Sequence, residues 1–173
     1  GALGYMRCAG EILDQLHNQN KSVSAIVVAS GSAATHVGLL LGLRLLRSRI
    51  PVYGICVRRD KKQQVSRVKG IVRLAENLIG CGEVVQEDDI KCHDEWLQPG
   101  YGRTNEFVYE AMTLAGNLEA MVVDPVYTAK SFAGAIGLYR QGLFDKSQNI
   151  LYLHTGGTPA IFAYEREITE TLN

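Results

Sequence analysis

No charge of either sign dominates this chain. Its 173 residues carry 18 Lys+Arg against 18 Asp+Glu, a formal net charge of zero. That removes the electrostatic drive for a general nucleic-acid or membrane-surface role, so neither partner is expected. No apolar run approaches the roughly 20 residues of a bilayer-spanning helix. Gly1-Ala2-Leu3-Gly4 carries no basic n-region and no signal-peptide core. Cysteines are few: Cys8, Cys56, Cys81 and Cys92. None forms a Cys-x-x-Cys pair, and no histidine lies at metal-ligand spacing, although Cys92 and His93 are adjacent. They read as reduced thiols of a cytoplasmic protein, not as a disulfide or metal framework. Neither G-x-G-x-x-G nor the Walker pattern occurs, which disfavours an unrelated doubly wound nucleotide-binding domain. Repeats, linkers and low-complexity segments are also missing. The length and a hydrophobic fraction of 46% suit one domain with a substantial core.

What is present alternates between short β-branched runs and helical patterns. Ala9, Ile12, Leu13 and Leu16 share one helical face. Ala25–Ala29 and Pro51–Val57 have no polar alternation and read as strands covered on both faces. His36–Leu46 is apolar nearly all round, as in a buried helix, and Gly38 and Gly42 on it would let its backbone approach the sheet closely. Val65, Val68, Val72, Ala75 and Ile79 mark a long helix that Gly80 ends. A short strand and loop are expected within Val84–Trp96. A turn follows at Gln98–Gly102, then a helix over Thr104–Leu114 capped by Thr104 or Asn105. Met121–Val123 reads as a strand ended by Asp124-Pro125. A helix from about Thr128 to Gln141 would aim Phe132, Ile136 and Leu143 at a core. Ile150–Leu153 is the last strand, and Thr158-Pro159 opens a final short helix. This order predicts an α/β fold: an open, mostly parallel sheet with helices on both faces.

Three Gly/Ser/Thr-rich turns follow apolar runs. In Ser30–Thr35 the free amides and dipole of the next helix would favour a phosphate, with Ser32 and Thr35 adding hydroxyl donors. An ordinary capped turn has the same composition. Thr155-Gly156-Gly157 would place a hydroxyl at a strand's carboxyl end, where open α/β sheets bind ligands. Tyr127 and Thr128 sit at another strand end. Tyr101, between two glycines, is hard to explain as core. His36 and His154 read as core or supporting residues, since no nucleophile accompanies either.

Together Gly1–Tyr5, Ala29–His36, Pro99–Gly102, Asp124–Thr128 and His154–Tyr164 resemble, in order, the pyridoxal-phosphate enzymes of the D-cysteine desulfhydrase and 1-aminocyclopropane-1-carboxylate deaminase family. The resemblance implies a tryptophan-synthase-β-like fold (fold type II), with residues 1–173 as the C-terminal half and most of the large cofactor-binding domain. It also implies pyridoxal 5'-phosphate as cofactor, a small amino acid as substrate and a cytoplasmic homodimer. Gly31, Ser32, Ala33, Ala34 and Thr35 would cradle the cofactor phosphate, and Thr155 would face the pyridine nitrogen. Tyr127 and Tyr101 would be catalytic, near the substrate. Thr128 and Thr155 would set specificity, because the deaminases are understood to carry Glu and Leu there.

A neutral hydroxyl does not force the ring nitrogen to stay charged. The weaker electron sink that results suffices when a thiol leaves. The resemblance therefore implies α,β-elimination from D-cysteine to pyruvate, hydrogen sulfide and ammonia. Ala34 stands where relatives commonly have Gly, which would weaken phosphate binding if that position needs a positive φ. The family's Schiff-base lysine and carboxylate-holding Ser/Asn group lie upstream of the match to Gly1, and Lys130 is not that lysine. The chain alone is expected to be inactive, its partner being the missing N-terminal half. A deaminase, or a truncated non-catalytic phosphate-binding module, are the alternatives.

Overall fold

The computed structural model describes residues 1–172. Its four strands are β1 (Ala25–Ser30), β2 (Val52–Cys56), β3 (Lys91–His93) and β4 (Ile150–Tyr152), all paired in parallel in the order β3-β2-β1-β4. Six α-helices accompany them: α1 (Ala2–Asn18), α2 (Ala34–Leu45), α3 (Lys61–Ile79), α4 (Glu106–Glu119), α5 (Thr128–Arg140) and α6 (Glu165–Leu172).

Alternation along β1 splits the core into two layers. Ile26 and Val28 pack with Leu39, Leu40 and Leu43 of α2 and with Ala9 and Ile12 of α1. Ala25 and Val27 turn the other way, toward Ala111 of α4 and Ala133 and Leu138 of α5. Helices therefore cover both faces, which is why β1 has no polar alternation. Each fully buried Val, Leu or Ile stabilises the fold by about 1.5–3 kcal/mol relative to exposure.

Caps account for several boundaries. The Asp60 side chain accepts the Gln63 amide at 2.8 Å to start α3, and Gly80, at φ 67°, ends it. Asn105 caps α4 by accepting the Val108 amide at 2.9 Å. Pro159 stands in the first turn of a 3-10 segment, Thr158–Tyr164, that runs on into α6.

Four expectations change. Met121–Val123 joins no strand ladder. The Met121 amide caps α4 on Ala115 O at 3.0 Å, the Val122 carbonyl bonds the His154 ring at 2.9 Å, and the Asp124 amide donates to Thr128 Oγ1 at 2.6 Å. With those groups engaged, an apolar triplet does not become a strand. His154 is consequently exposed, not core. Leu143 lies beyond α5 and is exposed, while Phe144 fills the buried place. Gly38 and Gly42 face α1, not the sheet: a Cβ on Gly38 would stand 2.3 Å from Ala2 O, and one on Gly42 2.6 Å from Met6 O.

Candidate active site

β1 leads to β2 and β3 on one side, whereas β4 pairs on its other side. The carboxyl ends of β1 and β4 thus flank the point where strand order reverses, the expected place for a ligand crevice. The first wall is the turn Gly31-Ser32-Ala33 into α2. The α2 N-terminus has no side-chain cap at Ala33, and the Ala34 amide reaches back to Ser32 Oγ at 3.4 Å. Behind the turn, Arg59 Nη1 donates to Gly31 O at 2.9 Å and Arg67 Nε to Ser32 O at 2.9 Å. Gln64 Nε2 donates to Ser30 Oγ at 2.8 Å, and Ser30 Oγ also bonds His36 Nδ1 at 3.1 Å. These contacts fix the turn's carbonyls from outside the crevice, which neither Arg59 nor Arg67 lines.

Left-handed backbone falls at Ala33, with φ 74° and ψ −9°, and Ala34 begins α2. Ala34 does not occupy a positive-φ position. The departure from Gly there therefore carries no penalty of the kind expected.

The second wall is the α5 start. The buried Asp124 carboxylate collects the turn around itself. Oδ2 accepts from the Val126 and Tyr127 amides, both at 2.9 Å, and Oδ1 from the Thr128 amide at 2.8 Å and its hydroxyl at 2.6 Å. Thr128 is fully buried by this arrangement and does not line the crevice. Its hydroxyl is engaged with Asp124, and the neighbour that reaches the crevice is Tyr127. That residue bonds Tyr101 hydroxyl to hydroxyl, with ring centroids 6.0 Å apart at 63°. The hydrogen bond to Tyr101, with some burial, pushes the Tyr127 hydroxyl up to about 12.

Thr155, Gly156 and Gly157 follow β4. A Cβ on Gly157, at φ 98°, would stand 2.6 Å from Asp124 Oδ1, so this turn and the α5 turn fit together only with glycine there. The Thr155 hydroxyl has no hydrogen-bond partner among the described residues.

These walls enclose a cavity of about 380 Å³ that brings together Gly31, Ser32, Thr35, Tyr101, Tyr127 and Thr155. Ala33 and Ala34, expected in the cradle, do not line it. Sequence reasoning missed Tyr5 and Arg58 on the cavity wall. The Arg58 Cζ lies 5.6 Å from the Tyr101 ring centroid. It missed Arg59, Gln64 and Arg67 as well, because their acceptors lie 28 to 35 residues away in the chain. Arg58 is the only ionised side chain on the wall, and no carboxylate lines it. The start of α2, the Ser32 and Thr35 residues, the Arg58 guanidinium and a neutral threonine on the β4 side fit a phosphorylated heterocycle.

The model of the pyridoxal-phosphate dependent enzyme family matches residues 1–156. D-cysteine desulfhydrase of Serratia proteamaculans (strain 568) is 39% identical over 168 residues, covering 97% of this chain and 50% of that protein. D-cysteine desulfhydrase of Klebsiella pneumoniae (strain 342) is 40% identical over 164 residues, covering 95% and 49%. The crystal structure of an ACC deaminase homologue superposes with a TM-score of 0.85 at 33% identity, covering 98% of this chain and 50% of that one. The chain spans about half the length of the relatives it matches. With the parallel sheet, the crevice at its strand-order reversal and the match over residues 1–156, the chain belongs to the pyridoxal-phosphate-dependent enzymes, in the architecture known as fold type II.

Proposed function

We propose that this chain supplies the phosphate cradle, the pyridine-nitrogen contact and the substrate-facing tyrosines of a lyase. The complete enzyme would convert D-cysteine and water to pyruvate, hydrogen sulfide and ammonia. The convergence of the turns at Gly31–Thr35, Tyr127 and Thr155 on one cavity supports this reading most directly. Bound pyridoxal phosphate would supply a ring that stabilises negative charge at the substrate's α-carbon.

This chain's residues do the rest. The Gly31–Thr35 amides, with the Ser32 and Thr35 hydroxyls, hold the phosphate. Thr155 Oγ1 would meet the ring nitrogen without an ionised acid, so the nitrogen would not be compelled to stay protonated. Tyr127 Oη, pushed up to about 12, keeps its proton at neutral pH and is placed to donate it to a departing thiolate.

None of the cavity-lining side chains is a lysine, and Lys130 is turned into the protein. The amine that anchors the cofactor aldehyde would therefore come from a segment other than residues 1–172, and residues 1–173 by themselves would be inactive. On this reading they form most of the large domain of a homodimeric cytoplasmic enzyme. Unpaired thiols suit a reducing compartment. No helix among the described residues is long and apolar enough to cross a membrane. The exposed apolar side chains of Leu74, Leu78 and Phe162 suit burial against further protein.

The test is a stoichiometry. Complete protein loaded with pyridoxal phosphate is given D-cysteine, L-cysteine or 1-aminocyclopropane-1-carboxylate, and sulfide, pyruvate, 2-oxobutanoate and ammonia are measured. Equal sulfide and pyruvate from D-cysteine alone is the expected result. Release of 2-oxobutanoate without sulfide would overturn the assignment in favour of a deaminase.

A further inference from the structure

Tyr101 is carried by a glycine-flanked turn that belongs to no helix or strand, and it is half exposed. A turn of that composition does not by itself hold a ring against a second hydroxyl. Side chains from two distant segments do it here. Lys130 is completely buried, and its Nζ donates to Leu97 O at 3.0 Å and to Gly100 O at 2.5 Å. On the other side of Tyr101, the Tyr164 hydroxyl donates to Gly102 O at 2.6 Å. The carbonyls flanking Tyr101 are thus gripped from α5 and from the C-terminal segment. Lys130 lies one helical turn after Tyr127, so the element that aims one tyrosine also tethers the loop bearing the other.

The Lys130 ammonium has no carboxylate partner among the described residues, only carbonyl oxygens. Stability does not explain such a group. An apolar side chain of similar length fills the same space without taking a cation out of water, and buried charge is commonly neutral or costly for that reason. Desolvation holds the Lys130 ammonium down at about 8. What an apolar replacement cannot do is fix the orientation of two peptide groups.

We propose that Lys130 and Tyr164 are positioning residues: by gripping the carbonyls on either side of Tyr101 they hold its hydroxyl on that of Tyr127. Neither touches substrate or cofactor. The role in catalysis presupposes the lyase activity proposed above, whereas the clamp itself does not, and two readouts keep them apart.

Lys130→Met, Lys130→Arg and Tyr164→Phe are made in the complete, cofactor-loaded protein. Amide hydrogen exchange is followed over residues 98–103 and over α2, and kcat and KM are measured with D-cysteine. Exchange at residues 98–103 is expected to accelerate about tenfold in Lys130→Met and a few-fold in Tyr164→Phe, with α2 unchanged. In Lys130→Met, kcat is expected to fall about tenfold or more with KM within about twofold, and Lys130→Arg to recover most of it. Adding Lys130→Met to Tyr101→Phe should cost nothing further, since the group being aimed is gone.

Unchanged exchange at residues 98–103 in both variants overturns the clamp. So does a loss of kcat that persists in full on the Tyr101→Phe background. Tyr164→Phe removes one hydroxyl from a half-buried ring, so it decides the matter alone if Lys130→Met does not fold. A wild-type protein that releases no sulfide while the exchange response appears retains the clamp and refutes the lyase reading instead.

Discussion

Replacing Asp124 with Asn tests the hub of the site. The carboxylate is fully buried and accepts four hydrogen bonds, of which three come from consecutive backbone amides at the start of α5. An Asn side chain keeps the shape but turns one acceptor oxygen into a donor. If the new NH₂ group faces Val126 and Tyr127, two amides lose their acceptor. If it faces Thr128, the Thr128 amide loses its acceptor and the hydroxyl, which already accepts the Asp124 amide, loses the acceptor for its own proton, so either orientation strands at least one backbone amide. One buried unsatisfied amide costs about 1–3 kcal/mol. Losing the charge near a helix N-terminus adds roughly 0.3–1 kcal/mol. The expected loss is therefore about 1.3–4 kcal/mol, on the order of a tenfold to thousandfold change in the folding constant. Urea unfolding followed by circular dichroism measures it, with unchanged m-value as the sign that stability alone moved. Asp88→Asn, at an exposed carboxylate, is the control and should stay within about 0.5 kcal/mol. A loss below about 1 kcal/mol for Asp124→Asn would refute the claim that this carboxylate organises the Tyr127–Thr128 turn.

Three further outcomes follow from the packing and the charges. Gly38→Ala places a Cβ 2.3 Å from Ala2 O and 2.5 Å from Tyr5 Cβ, so α1 must move off α2. A loss of at least about 2 kcal/mol is expected in thermal unfolding, and Tyr5 leaves the cavity wall with it. Ala33→Gly relieves a left-handed residue, worth about 1–2 kcal/mol, but gives up a buried methyl and loosens the unfolded chain. Its net effect is expected within about 1 kcal/mol of zero, whereas Ala34→Gly gains no such relief and only destabilises; equal effects would contradict the placement of the left-handed residue. Asp89 is partly desolvated, which raises its carboxyl, but the Arg44 guanidinium at 2.8 Å and the Gln86 amide outweigh that and leave it below the ordinary 3.8. A carboxyl depressed in the folded state contributes stability that is full above its unfolded value near 3.8 and disappears as pH falls through the lower folded value. Acid titration of stability should therefore show a steeper loss below pH 4 in the wild type than in Arg44→Met.

Much of this fold was legible in the sequence because it rests on local patterns. Ala25–Ala29 announced a doubly covered strand, Gly80 a helix end, and Asn105 a cap. The turns at Ser30–Thr35 and Thr155–Gly157 were legible too, since small and hydroxylated residues at strand ends have few other uses. The illegible parts are those where a non-local partner decides. Arg59 follows the strand segment Pro51–Val57 and Arg67 lies on the helix marked by Val65 to Ile79, and nothing local tells that their guanidiniums reach back to Gly31 and Ser32. Val122 has the character of a strand residue, but its carbonyl is taken by His154, 32 residues later. Gly38 and Gly42 announced a close approach, but not which neighbour would approach.

Thr128 shows how the resemblance and the geometry combine. If subfamilies differ at this position by carrying Glu instead, the difference is not a simple exchange of two cavity-lining groups. In this chain the hydroxyl donates to Asp124 Oδ1 while accepting the Asp124 amide, and it never reaches the cavity. A Glu carboxylate cannot take that place, because it would meet the Asp124 carboxylate as a second buried like charge. Its longer side chain would have to leave the turn. In this chain, then, Thr128 brings neither an acid nor a hydroxyl to the cavity. Thr155 keeps the opposite wall neutral in the same sense, and Arg58 is left as the one ionised group between them. A site with a cation, neutral hydroxyls and no carboxylate favours an anionic ligand and gives a ring nitrogen no reason to hold a proton. On the lyase reading proposed above, the charge pattern of the whole cavity, more than either threonine alone, would suit elimination of a good leaving group.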